Sequence, residues 1–161
     1  MRQRTPFRRI NIQEAQSLLS RGVNVRTGND TTPLMRAAHM GQTDIMRALL
    51  AADAALDARN ADGNTALWLA CAGGHSAAVD LLIAAGADMD NSNDNGATVL
   101  MYAASSGKAD IVERLLAAGA NIMPESLDGF TALDMAATIE CLTMLRKAGH
   151  ARNAAAVQNS A

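Results

Sequence analysis

The most constraining feature of this chain is a pattern that returns every 33 residues. Four threonines, each followed two positions later by a leucine, stand at this constant interval. The four tripeptides are Thr32-Pro33-Leu34, Thr65-Ala66-Leu67, Thr98-Val99-Leu100 and Thr131-Ala132-Leu133. A constant period of this size is typical of a stack of short helical units, in which each unit packs only against its neighbours. The sequence therefore predicts a protein that presents a surface to a partner, with no enclosed active site.

Small residues and glycines recur in the same register. An alanine stands five positions after each threonine, and the residue after it is also small. These pairs are Ala37-Ala38, Ala70-Cys71, Ala103-Ala104 and Ala136-Ala137. Glycine stands nine positions after the first three threonines, at Gly41, Gly74 and Gly107. Small side chains allow two helices to approach closely and glycine interrupts a helix, so each unit is predicted to contain two packed helices.

A second apolar run with helical spacing follows each of these glycines, and a turn follows the run. The second and third runs end at Gly86-Ala87 and Gly119-Ala120, where glycine suits a left-handed helix cap. Asp53 stands at the equivalent position of the first unit, and we expect it to cap its helix poorly. Turn-forming pairs precede the threonines at Asp62-Gly63, Asn95-Gly96 and Asp128-Gly129, with a weaker Asn29-Asp30.

This order of turn, short helix, break and longer helix resembles the ankyrin repeat, a family with this period and a T-P-L-H-x-A signature. Residues 32–37 match the signature except at the histidine, and residues 111–121 are similar to the family's second helix and cap. The resemblance implies an all-α ankyrin-repeat solenoid of helix-turn-helix units with short β-turn fingers. It covers a half-repeat at 10–26 and four repeats at about 27–59, 60–92, 93–125 and 126–150.

Two departures from the family pattern carry expectations. The signature histidine is replaced in every repeat, by Met35, Trp68, Met101 and Asp134. The resemblance implies that this histidine ties neighbouring turns by hydrogen bonds, so these bonds are in question here. The fourth repeat is three residues short between Thr138 and Ile139, and its cap is expected at Gly149. A shortened last repeat is typical of a terminal cap, whose outer face meets water.

Length and composition bear on the number of domains and on the cellular compartment. A chain of 161 residues is expected to form one domain, and no apolar run approaches the ~20 residues of a membrane span. The basic arm at residues 1–9 lacks the apolar stretch of a signal peptide, which favours a cytoplasmic protein. Cys71 and Cys141 stand at core positions two repeats apart and are predicted to be reduced, buried thiols. The tail at residues 151–161 either extends the last helix or frays.

The net charge of −2 is distributed unevenly. Residues 1–26 hold six arginines and one glutamate, whereas residues 60–92 hold four aspartates and no lysine or arginine. The basic arm either contacts nucleic acid or an anionic surface, or serves only as a solubilising terminus. No basic stripe and no repeated aromatic platform crosses the repeats, so we expect no nucleic-acid partner.

No catalytic or metal-binding motif accompanies the repeat. His39 and His75 occupy different phases of the period, and His75 follows a helix-breaking glycine, where a structural role is expected. Neither C-x-x-C nor H-E-x-x-H occurs. We therefore predict no enzyme activity, no cofactor and no metal, and a small-molecule enzyme or metal protein is the competing hypothesis that metal analysis addresses.

Partner binding is expected at positions that vary between repeats. The resemblance implies that the turns project as fingers and that the first helices line a concave face where partners bind. The candidate partner-binding residues on the first helices are Met35, Arg36, His39, Met40, Trp68, Leu69, Met101, Tyr102, Ser105 and Asp134. Those around the turns are Arg59, Asn64, Asp94 and Phe130.

Trp68 and Tyr102, the only tryptophan and the only tyrosine, are the strongest candidates. Both residue types are favoured interface anchors, so we expect them to be partly exposed and near each other on consecutive first helices. The alternative is that Trp68, Met35 and Met101 fill gaps between repeats. The predicted function is non-catalytic recognition of an unidentified partner protein by a monomeric scaffold, and the alternative is a self-associating structural or regulatory subunit of a larger complex.

Overall fold

The computed structural model describes residues 8–158. Residues 1–7 of the predicted basic arm and residues 159–161 of the predicted tail lie outside the described residues. The described part folds into eight α-helices: α1 (Ile12–Arg21), α2 (Pro33–His39), α3 (Thr43–Ala51), α4 (Ala66–Gly73), α5 (Ser76–Ala84), α6 (Val99–Ser105), α7 (Ala109–Ala117) and α8 (Ile139–Gln158). The predicted all-α solenoid is confirmed. Among these helices none has both the length and the apolar character that a membrane crossing requires.

The first helix of each of the first three repeats begins at the threonine of the motif. The side-chain oxygens of Thr32, Thr65 and Thr98 accept hydrogen bonds from the backbone N–H three residues on, at 3.3, 3.4 and 3.3 Å. These bonds satisfy N–H groups that the first turn of a helix leaves open. The predicted glycine breaks follow with left-handed backbones, at Gly41 (φ 66°), Gly74 (φ 74°) and Gly107 (φ 66°).

The core lies between helices of successive repeats and is built on small side chains. Ala37, Ala70 and Ala103 are completely buried, as the predicted close approach requires. Helices α2 and α4 come so close that a Cβ atom on Gly73 would lie 2.3 Å from the carbonyl oxygen of His39. The small residues of the motif therefore set the distance between neighbouring repeats.

The turns between repeats are shaped by asparagine side chains. The Oδ1 atom of Asn60 accepts bonds from the backbone N–H groups two and four positions on, at 3.0 and 2.9 Å. Asn93, 33 residues later, makes the same pair of bonds at 3.0 and 3.1 Å. An asparagine side chain that mimics a backbone turn in this way fixes the shape of each finger.

Two ladders of hydrogen bonds tie the turns of neighbouring repeats together. In the first, backbone N–H groups donate to carbonyl oxygens 32 positions earlier, in the pairs Ala61 to Asn29 (3.1 Å), Asp94 to Asp62 (3.2 Å) and Leu127 to Asn95 (3.0 Å). In the second, side chains accept from backbone N–H groups 31 positions later, in the pairs Asn24 with Ala55 (2.7 Å), Asp57 with Asp88 (3.0 Å) and Asp90 with Asn121 (2.8 Å). The ties that the missing histidines left in question are thus supplied by other groups.

The leading half-repeat covers the N-terminal side of the core with α1, which ends at Gly22 (φ 135°). The buried side chain of Gln42 exchanges hydrogen bonds with both backbone groups of Ile10, at 2.7 and 2.8 Å. An ion pair between Glu14 of α1 and Arg36 of α2 adds a second link. The half-repeat is therefore fixed to the first full repeat.

The fourth repeat differs from the sequence prediction. Residues 132–135 form a single turn where a first helix was expected, so Asp134 lies in a turn. The three missing residues leave too little chain before Ile139 for a helix as long as α2 or α6. Gly149 is not a helix cap, because α8 continues through it to Gln158. The division of the chain at residue 150 remains a prediction, and the option of a helical tail holds as far as Gln158.

The predicted left-handed caps and the predicted buried thiols are confirmed. Gly86 (φ 89°) and Gly119 (φ 91°) adopt the left-handed conformation, and Asp53 adopts it as well with φ 60°. Cys71 and Cys141 are free and buried. His75 packs its ring where Cβ atoms on Gly41 and Gly73 would stand, which supports the structural role expected of it.

Candidate functional site

Trp68 and Tyr102 form an aromatic pair on consecutive first helices, α4 and α6. Their ring centroids are 5.0 Å apart and the rings are tilted by 39°. Both side chains are half-buried, so part of each remains accessible to solvent. The prediction that these two residues are close together and partly exposed is confirmed.

An open groove of about 280 Å³ borders this pair and extends to the last turn of the stack. Its apolar wall consists of Trp68, Tyr102, Phe130 and Met135, with the small side chain of Ala97. Phe130 is 52% exposed, which is unusual for a phenylalanine and leaves its ring available for contact. The groove thus joins aromatic surface from two helices and one turn.

Ser126 and Gly129 position Phe130 at the groove. The backbone N–H of Ser126 donates to the carbonyl oxygen of Phe130 at 2.9 Å, and the Ser126 hydroxyl accepts from the N–H of Phe130 at 3.3 Å. Gly129 has φ 78°, a backbone conformation that a residue with a Cβ rarely adopts. This tight turn leaves no core for Phe130 to enter and holds its ring at the surface.

A comparison with protein-family models identifies the repeats. The model described as ankyrin repeats (3 copies) matches residues 9–93 and again residues 72–155. The chain belongs to the ankyrin repeat family. Ankyrin repeats are generally protein–protein interaction modules, and the family is generally non-catalytic. No curated protein matches the sequence significantly.

Three of the predicted contact residues of this ankyrin repeat protein are buried, which is a correction. Met35 and Met101 are each 1% exposed and Leu69 is 6% exposed, so none of them is accessible to a partner in this structure. The two methionines fold back on their own helices, where each thioether sulfur accepts the backbone N–H of the capping threonine at 3.4 Å. Methionine therefore completes the helix cap from the position of the signature histidine. Met35 and Met101 are core residues, as the alternative that they fill gaps between repeats predicts.

The other candidates of the first repeat are not among the residues that line the aromatic groove. The guanidinium of Arg36 is held by Glu14, with only 16% of its side chain exposed. His39 is half-buried, with Nδ1 3.3 Å from the carbonyl oxygen of Leu69. Met40 is half-buried at the end of α2. The structure does not bring these three residues to the groove.

The predicted turn residues of the ankyrin repeat protein link neighbouring fingers. Arg59 donates to Asp94 at 3.2 Å and to Asn91 at 3.3 Å. The Oδ1 atom of Asn64 accepts from the side-chain amide of Asn93 at 3.2 Å. The side chains of Arg59 and Asp94 are 45% and 62% exposed, so both remain accessible beside the groove while they bridge two turns.

The last two candidates are Ser105 and Asp134. Ser105 is exposed and lines the groove next to Tyr102. Asp134 does not line it, and instead accepts hydrogen bonds from the hydroxyl and the N–H of Thr131, at 2.6 and 2.9 Å. These bonds stabilise the carboxylate and lower the pKa of Asp134 below its usual value. Asp134 therefore caps the last turn, much as Met35 and Met101 cap their helices.

Sequence reasoning missed four polar residues that line the groove: Asn93, Asn95, Ser126 and Asp128. The sequence predicts binding at positions that vary between repeats and a structural role for turn positions that repeat. Asp62, Asn95 and Asp128 occupy a turn position that recurs at intervals of 33, so their exposed side chains are not among the predicted contacts. The regular spacing was itself the available signal, because turn residues that repeat form a row along one edge of the stack.

Proposed function

We propose that this ankyrin repeat protein is a non-catalytic scaffold that binds a partner protein through the concave face formed by its first helices and turns. The aromatic groove carries this proposal. It places three accessible aromatic side chains, Trp68, Tyr102 and Phe130, next to one another in a protein with few aromatic residues. Aromatic side chains in a concave, partly desolvated surface are typical interface anchors.

The rest of the proposal follows the family's general properties. The rigid stack binds without much ordering of its own, which lowers the entropic cost of association. We propose that the protein acts as a monomer in the cytoplasm and has no enzyme activity. Its partner is a protein, not a nucleic acid, because no lysine or arginine among residues 8–158 lines the groove.

The test is capture of partners from the native organism with the wild type and a Trp68→Ala variant. We expect Trp68→Ala to weaken the affinity for the captured protein by at least ~2 kcal/mol, since a true anchor is lost. A half-buried tryptophan should cost less stability than the ~3–5 kcal/mol of a fully buried one, so the melting temperature should stay close to that of the wild type.

A Leu81→Ala variant is the matched control. Leu81 is half-buried on α5 and does not line the groove, so its truncation should lower stability without weakening capture. Equal capture by Trp68→Ala and the wild type, together with a large loss of stability, would return Trp68 to the core and contradict the proposal.

One observation favours the alternative of self-association. Large exposed apolar side chains are concentrated near the C-terminal end of the stack: Met123, Leu127, Phe130, Leu133 and Ile139. Exposed apolar patches mark association sites in many soluble proteins. Size-exclusion chromatography with light scattering separates the two proposals, because a self-associating chain shows a concentration-dependent mass that Leu127→Ser and Ile139→Ser reduce.

A further inference from the structure

We infer that the aromatic groove receives a basic peptide segment, with an arginine or lysine side chain lying against the Trp68–Tyr102 pair. This inference rests on the proposed function and specifies the chemistry of the partner. Three independent features of the groove support it: the charge of the surrounding repeats, the partly exposed aromatic side chains and a carboxylate outside the ion pairs.

The repeats that form the groove are strongly acidic. Residues 59–135 carry ten aspartates and glutamates and three basic side chains, Arg59, Lys108 and Arg114. Arg59 is paired with Asp94, Arg114 is paired with Asp80, and Lys108 lies next to Gly74 at the helix break. None of the three lines the groove. A cleft with one sign of charge attracts partners of the opposite sign and orients them during encounter.

The aromatic walls suit a cation in particular. The face of an indole or phenol ring attracts an ammonium or guanidinium group, and arginine is the more frequent partner. Trp68 and Tyr102 are tilted by 39° at 5.0 Å, so their accessible surfaces form one continuous wall. Phe130 adds a third ring from the turn on the same groove.

Asp128 supplies a negative charge to this groove, and no ion pair among residues 8–158 neutralises it. The equivalent turn carboxylate Asp62 accepts a bond from Asn29 at 2.9 Å, and Asp94 is paired with Arg59. Among residues 8–158, Asp128 takes part in none of the ion pairs, and it is exposed. An incoming guanidinium or ammonium group would therefore gain an ion pair without breaking an existing one.

The experiment is selection of a random dodecapeptide library on the immobilised full chain, with counter-selection on Trp68→Ala. We expect the selected sequences to be enriched in arginine and lysine. Binding of a synthetic selected peptide is then measured by titration calorimetry and by the emission of Trp68, the only tryptophan. Replacing each arginine of the peptide by citrulline, a neutral isostere, should weaken binding about tenfold at the critical position.

An Asp128→Asn variant tests the carboxylate without disturbing the aromatic wall. We expect it to weaken the selected peptide about two- to fivefold at low salt, with a smaller effect at high salt. Asp44→Asn is the matched control, because Asp44 is an exposed aspartate on α3, which does not line the groove. Its affinity should equal that of the wild type.

The outcomes separate this inference from the function on which it rests. Selected peptides that depend on Trp68 but contain no enriched arginine or lysine would overturn the basic-segment inference and leave the groove as a binding site. Peptides that bind equally well to Trp68→Ala, with its fold verified by circular dichroism, would overturn both proposals. An affinity for the basic peptide that is unchanged in both citrulline and Asp128→Asn tests would also overturn the inference.

Discussion

The four residues at one phase of the repeat have three different roles in this protein. Met35 and Met101 are buried and cap their helices, Trp68 is half-buried in the groove, and Asp134 is exposed and caps a turn. The replacement of the signature histidine was evident from the sequence, but the role of each replacement was not. A long flexible thioether can fold back on the backbone, whereas an indole ring is too large and stiff to do so.

At the same scale, Cys71 makes the stability of the protein sensitive to alkaline pH. Burial raises the pKa of the Cys71 thiol from its usual 9.0 to about 12; Lys108 opposes this shift and Asp110 adds to it. The unfolded thiol ionises above pH 9 while the folded thiol stays protonated, so the free energy of unfolding falls as the pH rises from about 9 towards 12.

A Cys71→Ala variant isolates this contribution, because alanine occupies the equivalent positions 38 and 104. We measure the free energy of unfolding by urea titration between pH 8 and 10.5. Above pH 9, we expect this free energy to fall more steeply in the wild type than in the variant, by up to about 1 kcal/mol per pH unit. Parallel stability curves for the two proteins would show that the thiol of Cys71 ionises as readily in the fold as in the unfolded chain.

At the scale of helices, two glycines inside helices have opposite roles. Gly73 lies where α2 and α4 meet, and a Cβ there would stand 2.3 Å from the carbonyl oxygen of His39. Gly149 lies within α8, where a Cβ would make an ordinary contact of 3.6 Å with Ile122. The same substitution is therefore expected to change stability in opposite directions at the two sites.

We expect Gly73→Ala to lower the free energy of unfolding by about 1–3 kcal/mol, since the two helices must move apart. Gly149→Ala should raise it by about 0.5–1 kcal/mol, because alanine favours the helix more than glycine does. Urea unfolding of both variants provides the measurement. A loss of stability in Gly149→Ala would indicate that α8 does not run through this residue in solution.

Helix α3 ends at a left-handed cap formed by Asp53, the one such cap within residues 8–158 that is not a glycine. Asp53 has φ 60°, and its carbonyl oxygen accepts a bond from Asn24 at 3.4 Å, which glycine would preserve. We expect Asp53→Gly to be neutral or to raise the free energy of unfolding by up to about 1 kcal/mol. Glycine relieves the strain of the left-handed backbone, and the larger entropy of the unfolded chain offsets part of this gain.

Gly86→Ala is the reverse experiment on the next repeat. Nothing lies within 4 Å of the Cβ that would be added, so only the left-handed backbone with φ 89° opposes the change. We expect Gly86→Ala to lower the free energy of unfolding by about 1 kcal/mol. Differential scanning calorimetry should therefore rank Asp53→Gly at or above the wild type and Gly86→Ala below it. The reverse ranking would mean that the Asp53 carboxylate has a stabilising role.

At the scale of the whole molecule, stability should be greatest in the middle of the stack. Helices α4 to α7 have neighbours on both sides, whereas α1 and the distal part of α8 do not, and residues 151–158 of α8 are all exposed. In a linear repeat array, stability is the sum of each unit and its two interfaces. The terminal units therefore lack one stabilising interface.

Native-state hydrogen exchange followed by mass spectrometry tests this gradient. We expect the slowest exchange in α4 and α6, faster exchange in α1, and exchange close to that of an unfolded peptide in residues 151–158. Protection of residues 151–158 equal to that of α6 would contradict the expectation and would indicate that this part of α8 is covered, for instance by another molecule.

The sequence by itself determined the local elements of this ankyrin repeat protein. Threonine caps, left-handed glycines and small core residues act on backbone groups within a few positions, so their effect is visible in the spacing of Thr65, Gly74 and Ala70. The proximity of Trp68 and Tyr102 was also predictable, because the constant period places Trp68 beside its equivalent Met101, which directly precedes Tyr102.

Only the tertiary structure decided which side chains reach the surface and how the last repeat ends. The burial of Met101, the exposure of Phe130 and the unpaired carboxylate of Asp128 all depend on groups that are remote in sequence or on the absence of such groups. The first helix of the fourth repeat is lost because three residues are missing before Ile139, and only the structure shows that the shortening removes this helix. Local backbone hydrogen bonds depend on residues that are close in sequence, whereas burial and charge pairing depend on the repeats on either side.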